Sequence, residues 1–146
     1  DRVPVRSMVA EDLPQIIRID RRITGRDRSA YLSNKADEAL MESGIRISIV
    51  AEQDGRPAGY IMARLDFGEF GHTDSEAVID TLGVDPGYTH HHIGSALLSQ
   101  LFSNLAALNV EQVRTELEWD NFELLAFLRH CGFHPSQRLA LSRIVD

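Results

Sequence analysis
The sequence predicts an α/β layer fold on a central sheet of mixed strand direction. Apolar residues recur with period two in some segments and at helical spacing in others, and the two kinds alternate along the chain. Asp54-Gly55 is a strong two-residue turn signal between two apolar runs, so a hairpin is expected there. From residue 78 to 117 the pattern reads strand, helix, strand.

Taken in order, Val3 to Met8 alternates as a short strand. Ala10 to Thr24 places Leu13, Ile16, Ile17 and Ile23 at helical spacing, with Pro14 in the first turn and Gly25 as a stop. Ser29 is expected to cap a second helix that carries Tyr31, Leu32, Ala36, Ala39 and Leu40 on one side and ends near Gly44. Ile45 to Glu52 and Pro57 to Phe67 are the hairpin strands, and Val78 to Val84 is the next strand. From Ile93, the positions Leu97, Leu98, Leu101, Phe102 and Leu105 mark one helical stripe. Val110 to Leu117 is a further strand. Asn121 starts a short helix, with Leu124, Leu125, Phe127 and Leu128 inward, that closes at Gly132-Phe133; Leu139 to Val145 is a last strand. The order is β-α-α-β-β-β-α-β-α-β.

The bulk properties narrow the function. The 146 residues suit one domain over 1–146, with no repeat, low-complexity tract or linker. A formal charge of -7 and a single lysine, Lys35, argue against a nucleic-acid footprint. No apolar run is long enough for a membrane span, and the first residues lack the basic and apolar regions of a signal peptide. A cytoplasmic protein with neither nucleic-acid nor membrane partners is expected, its start trimmed because the first residue is not Met. The lone Cys131 fits a reducing compartment.

The most informative run is LGVDPGYTHHHIGSALL, Leu82 to Leu98. It joins a strand to a Pro/Gly turn, three histidines and a helix. First-turn N–H groups of a helix lack intrahelical partners and gather partial positive charge, so a diphosphate can bind there without a dedicated lysine. A nucleotide-like cofactor held mainly by backbone is therefore predicted. By itself His90-His91-His92 reads as a solvated turn, because adjacent side chains diverge and no Cys/His pair at ligand spacing accompanies them; no metal is predicted.

With these residues in this order, the chain resembles the GNAT acetyltransferase superfamily over nearly its whole length. Val84-Asp85-Pro86 followed by Thr89-His90-His91-His92-Ile93-Gly94 is similar to the family's V-x-P strand end and Gln/Arg-x-x-Gly-x-Gly/Ala helix opening. Asn121, Leu124, Phe127, Gly132 and Phe133 match its Asn-x-x-Ala-x-x-Phe/Leu-Tyr-x-x-x-Gly-Phe pattern, and VRSMVAEDLPQI and VAEQDGRPAGYIMA resemble its first strand and helix and its hairpin. The resemblance implies six to seven strands, about four helices and acetyl-coenzyme A as co-substrate. It implies a diphosphate near Thr89, His90, His91, His92, Ile93, Gly94 and Ser95, pantetheine alongside Leu82, Gly83 and Val84, and Asn121 in the cofactor-binding set. The N–H of Gly83 or Val84 is the candidate donor to the thioester carbonyl.

Three positions depart from the pattern. Thr89 replaces the Gln/Arg, His92 the middle glycine, and Leu128 the tyrosine that returns a proton to the leaving thiolate in many members. At positive φ a histidine costs on the order of 1 kcal/mol and crowds the diphosphate; partly protonated imidazoles would instead attract it. Leucine cannot donate a proton, although a coenzyme A thiolate is a tolerable leaving group.

On the amine side a base is required, since a lysine-type amine of pKa about 10.4 is protonated at neutral pH. Asp80, two residues before Leu82 and therefore expected on its face, is the first candidate and Glu69 the second, with Glu116, Glu118 and water behind them. A strand carboxylate is equally a structural partner for an arginine. Arg22, Arg26 and Arg28, with Arg21, form either an acceptor wall for an anionic group or a salt-bridged loop. Phe70, with Phe67 and Tyr31, is a candidate to shape the cleft; Cys131 and Trp119 read as packing or interface residues. The expected activity is N-acetyl transfer from acetyl-coenzyme A to a small-molecule or peptide amine by direct attack in a ternary complex. The alternative is a degenerate acyl-coenzyme A sensor or protein-interaction module. A homodimer is expected from the habit of the superfamily.

Overall fold
A computed structural model describes residues 3–41, 46–66, 75–88 and 92–146, and the chain forms two compact units, Asp1–Glu116 and Leu117–Asp146. In the first, β1 (Val5–Ser7), β2 (Arg46–Gln53), β3 (Arg56–Asp66), β4 (Glu76–Val84) and β5 (Gln112–Thr115) make one sheet in the order β1-β2-β3-β4-β5. The first four strands are antiparallel and β5 runs parallel to β4, which gives the mixed sheet expected, with five strands among the described residues instead of six to seven. Three helices accompany it: α1 (Leu13–Thr24), α2 (Ser29–Met41) and α3 (Ile93–Ala107). No helix among the described residues is long and apolar enough to cross a membrane.

Local chemistry explains most boundaries. Pro14 lies in the first turn of α1, and Gly25, at φ 73°, ends it by donating its N–H to Arg21 O at 2.8 Å. Asp54 and Gly55 both take positive φ, as a hairpin turn matched to the strand twist requires. Ser29 does not cap α2 from outside. It is the first helical residue, and Asp27 Oδ1 accepts its N–H at 2.9 Å, because Asp27 lies two residues upstream where a short carboxylate reaches back most easily.

The sheet is covered on both faces. Between Arg46 and Ala51 the β2–β3 register is unshifted and puts Val50, Tyr60 and Met62 on one face, where they pack with Met8 and with Ile16, Ile19 and Leu32 of α1 and α2. The other face receives α3 through Leu97, Leu98, Leu101 and Leu105, each worth about 1.5–3 kcal/mol when fully buried. Gly59 sets the closeness of that contact: a Cβ there would lie 2.6 Å from Ile93 Cγ2 and 3.0 Å from Leu97 Cδ1. The first turn of α3 is thus seated on bare backbone.

The second unit contains α4 (Phe122–His130). Asn121 Oδ1 accepts the N–H of Leu124 at 3.3 Å, and the helix ends at Gly132 with φ 98° and a Phe133 N–H bond to Leu128 O at 2.9 Å. The expected strand over 139–145 is not formed. Leu139, Leu141, Ile144 and Val145 are 85–91% exposed, and alternation alone does not make a strand without a ladder to join. Trp119 is also exposed, touching Phe122 edge to face at 6.5 Å, so it does not fill a core.

Candidate active site
Strand β4 carries the site, and its two halves differ. Thr81 pairs with Met62 and Ile79 with Ala63, so Asp80 is the extra residue of a β-bulge. The bulge turns its carboxylate to the α1/α2 face, where it meets Arg46 at 3.4 Å and Arg64 at 3.3 Å. Leu82 pairs with Ile61 on the opposite face. The expectation that Asp80 shares a face with Leu82 is therefore corrected: simple two-residue alternation does not survive a bulge. Arg46 also meets Glu38 of α2 at 3.6 Å, so Asp80 belongs to an ionic cluster.

The far half of β4 is bare of such charges. Pairing with β5 ends at Ile79 and Thr115, and β4 runs on to Val84. Asp85 donates its N–H to Ala58 O on the β3 side at 2.7 Å. Main-chain groups of an extended strand alternate sides, so Val84 and Leu82 turn theirs to the edge that β5 has left. Gly83 is buried, and Tyr60 explains why no larger residue stands there: a Cβ would lie 2.7 Å from the phenol oxygen. Burial, and next the charge of Asp20, push the Tyr60 hydroxyl up to about 12.

At the start of α3, His92 takes the left-handed conformation, φ 60° and ψ 23°, as the glycine it replaces would. Its C=O accepts the N–H of Ala96, the first bond of the helix, so the N–H groups of Ile93, Gly94 and Ser95 have no partner within it. The His92 side chain makes no cap, and no acidic residue stands in the first turn. An edge for an extended amide-bearing arm next to an open helix start for a diphosphate fits coenzyme A.

Asp85 was missed as a functional candidate. Its side chain is 0% exposed, yet it accepts from Arg22 Nη1 at 2.6 Å, Arg18 Nη1 at 3.0 Å and the Gly87 N–H at 3.0 Å. Burial raises its pKa, but the Gly87 and Arg18 hydrogen bonds and the charges of Arg22 and Arg18 prevail and hold the carboxyl below the usual range. The signal in the sequence was the pair Arg18 and Arg22, four apart on one helix face.

The arginines expected at the acceptor wall are mostly committed within the protein. Arg22 is bound to Asp85, and Arg28 grips the buried Asp20 at 2.6 and 3.0 Å while standing 5.0 Å from the Tyr31 ring centre. Arg26 is exposed, its N–H bonded to Thr24 Oγ1. Glu116 is exposed and pairs with Arg114 at 3.3 Å. Glu69, Phe67, Phe70, Thr89, His90 and His91 lie outside the described residues. Asn121 and Glu118 belong to the second unit, where Asn121 caps α4. Cys131, at the end of α4, has its thiol pKa raised by burial, which makes it a poor nucleophile. No group of three or more His, Cys, Asp or Glu suited to a metal occurs among the described residues.

A mycothiol acetyltransferase of Clavibacter michiganensis is 29% identical over 112 residues, 77% of this chain; the chain spans about a third of that relative's length, 34%. A transcriptional regulator from Bacillus halodurans has a similar structure, TM-score 0.82 with 15% identity, over 98% of this chain and 100% of that one. So does an aminoglycoside antibiotic 6'-N-acetyltransferase from Acinetobacter baumannii, TM-score 0.80 with 15% identity, over 99% of each chain. The Acetyltransferase (GNAT) family matches residues 12–133, and the chain belongs to it.

Proposed function
We propose that residues 1–146 work as one acetyltransferase domain that moves an acetyl group from acetyl-coenzyme A to a primary amine by direct attack in a ternary complex. The observation that carries this is β4 running past its last β5 pair to the buried Gly83, next to the uncapped start of α3. Acetyl-coenzyme A, when bound, supplies an acetyl thioester. The N–H groups of Ile93, Gly94 and Ser95 hold the diphosphate, with His92 and the preceding Thr89, His90 and His91 beside it. Leu82, Gly83 and Val84 offer their edge to the pantetheine. The alternation along β4 favours Val84 over Gly83 as the N–H that steadies negative charge on the carbonyl oxygen. Asp80, or Glu69, would take a proton from the acceptor ammonium, directly or through water, to leave the free amine that attacks. Arg26 and Phe70 join the acceptor wall; Arg22 and Arg28 support it through Asp85 and Asp20.

The names of the matched relatives, a mycothiol acetyltransferase and an aminoglycoside antibiotic 6'-N-acetyltransferase, put small-molecule amines first in an assay panel. Calorimetric titration with acetyl-coenzyme A, paired with thiol release across that panel, tests the reading. Micromolar binding with turnover is expected. Binding without turnover on any amine points instead to an acyl-coenzyme A sensor, a reading favoured by Leu128, which is buried and carries no proton to give.

A further inference from the structure
We propose that Asp85 is the positioning residue for the donor end of the site: clasped by Arg18 and Arg22, it fixes where β4 stops and how the chain departs toward α3, and so sets donor affinity without touching the donor. The inference rests on the donor site described above.

Every polar group of Asp85 is engaged, and each points to a different part of the structure. Its N–H ties it to β3 at Ala58, its C=O accepts the Tyr88 N–H at 2.8 Å, and one carboxylate oxygen accepts the Gly87 N–H at 3.0 Å. The same carboxylate meets Arg22 at 2.6 Å and Arg18 at 3.0 Å. The turn Pro86–Tyr88 thus folds around Asp85 itself, and the two guanidinium groups pin that turn to α1. One residue upstream is Val84, whose main chain faces the open edge; seven downstream is His92, where α3 opens. A carboxylate buried in this way is tolerable only while its charge is matched, so the geometry depends on both arginines. Arg18 Nη2 is buried without a hydrogen-bond partner among the described residues, whereas Arg22 is the more exposed of the pair and the one open to substitution. A Cβ on Gly87 would stand 3.6 Å from Arg22 Nη1, so this guanidinium lies directly over the turn.

The test uses the full chain and coenzyme A alone, without acceptor, so that any contact of Arg22 with an amine substrate does not enter. Asp85→Asn keeps the shape and removes the charge; Arg22→Gln removes one clasp from a side chain that is 49% exposed. Each is expected to weaken coenzyme A binding by about tenfold in a protein that is still folded at the temperature of the titration. The double variant is expected to bind no worse than Asp85→Asn, because both remove the same constraint. Wild-type affinity in a folded Asp85→Asn or Arg22→Gln protein, with only the melting temperature lowered, overturns the inference. If Asp85→Asn does not fold, Arg22→Gln decides on the same criterion. If the unaltered chain itself does not bind coenzyme A, the donor-site reading fails, and the inference with it.

Discussion
Helices α3 and α4 begin in opposite ways. The start of α4 is closed: Asn121 accepts the N–H of Leu124, and Glu123 places a negative charge in the first turn. The start of α3 is open: His92 makes no side-chain cap, adopts a left-handed backbone, and is followed by Ile93, Gly94 and Ser95, none of them acidic. In a chain with 22 acidic residues, that gap preserves the positive field of the helix end. Closure stabilises the helix, whereas openness leaves donors for a ligand, so α3 needs support from somewhere else. It draws that support from Gly59, against which Ile93 and Leu97 pack.

The comparison can be broken at several points. Gly59→Ala pushes Ile93 and Leu97 off β3 and should cost about 1–3 kcal/mol in chemical denaturation; an unchanged midpoint would show that packing does not hold this helix start. Asn121→Ala makes α4 resemble α3 and should lower stability by about 1 kcal/mol on the same measurement. His92→Gly relieves the left-handed histidine and, less the entropy that glycine adds, should raise stability by roughly 0.5 kcal/mol in thermal unfolding. Ser95→Glu makes α3 resemble α4, adding about 0.3 kcal/mol of stability while coenzyme A affinity falls, a pair of opposite signs that calorimetry and melting read together.

Acid probes the upstream anchor and has no effect at neutral pH. Burial opposes ionisation of Asp85 and Asp12, but the hydrogen bonds of Gly87 and Arg18 to the first, and of Arg6 and Val9 to the second, leave both below the ordinary carboxylate value of 3.8. With a depressed folded value, the stabilisation is complete above the unfolded value and is lost as pH falls through the folded one. Stability should therefore hold flat from pH 7 toward 5 and decline below about 4, and Asp85→Asn should show a shallower decline.

Much of the fold was legible because its signals are local. Pro14, Gly25, Asp54-Gly55, Asn121 and Gly132 each dictate a backbone conformation at their own position, and the structure obeys them. The alternating residues 139–145 misled because a strand exists only through a partner, and no pattern within seven residues reveals whether one is in reach. The strand end, turn and helix start between Leu82 and Leu98 were readable for the same local reason, since they are contiguous in sequence. The ionic partners were not. Asp80 meets arginines 34 and 16 positions away, and Asp85 meets arginines 67 and 63 away, so only the assembled sheet and α1 show which charges are spent inside the protein.

All but one of the 15 Lys and Arg residues are arginine, and the exception, Lys35, holds its ammonium 3.7 Å from Glu38 and 5.8 Å from the Tyr31 ring centre. A guanidinium stays protonated at neutral pH and does not attack a thioester, whereas a lysine amine, once it sheds its proton, does. The preference for arginine therefore leaves this chain almost without side-chain amines to react with the reagent it is proposed to carry, and its one lysine lies between Glu38 and the Tyr31 ring.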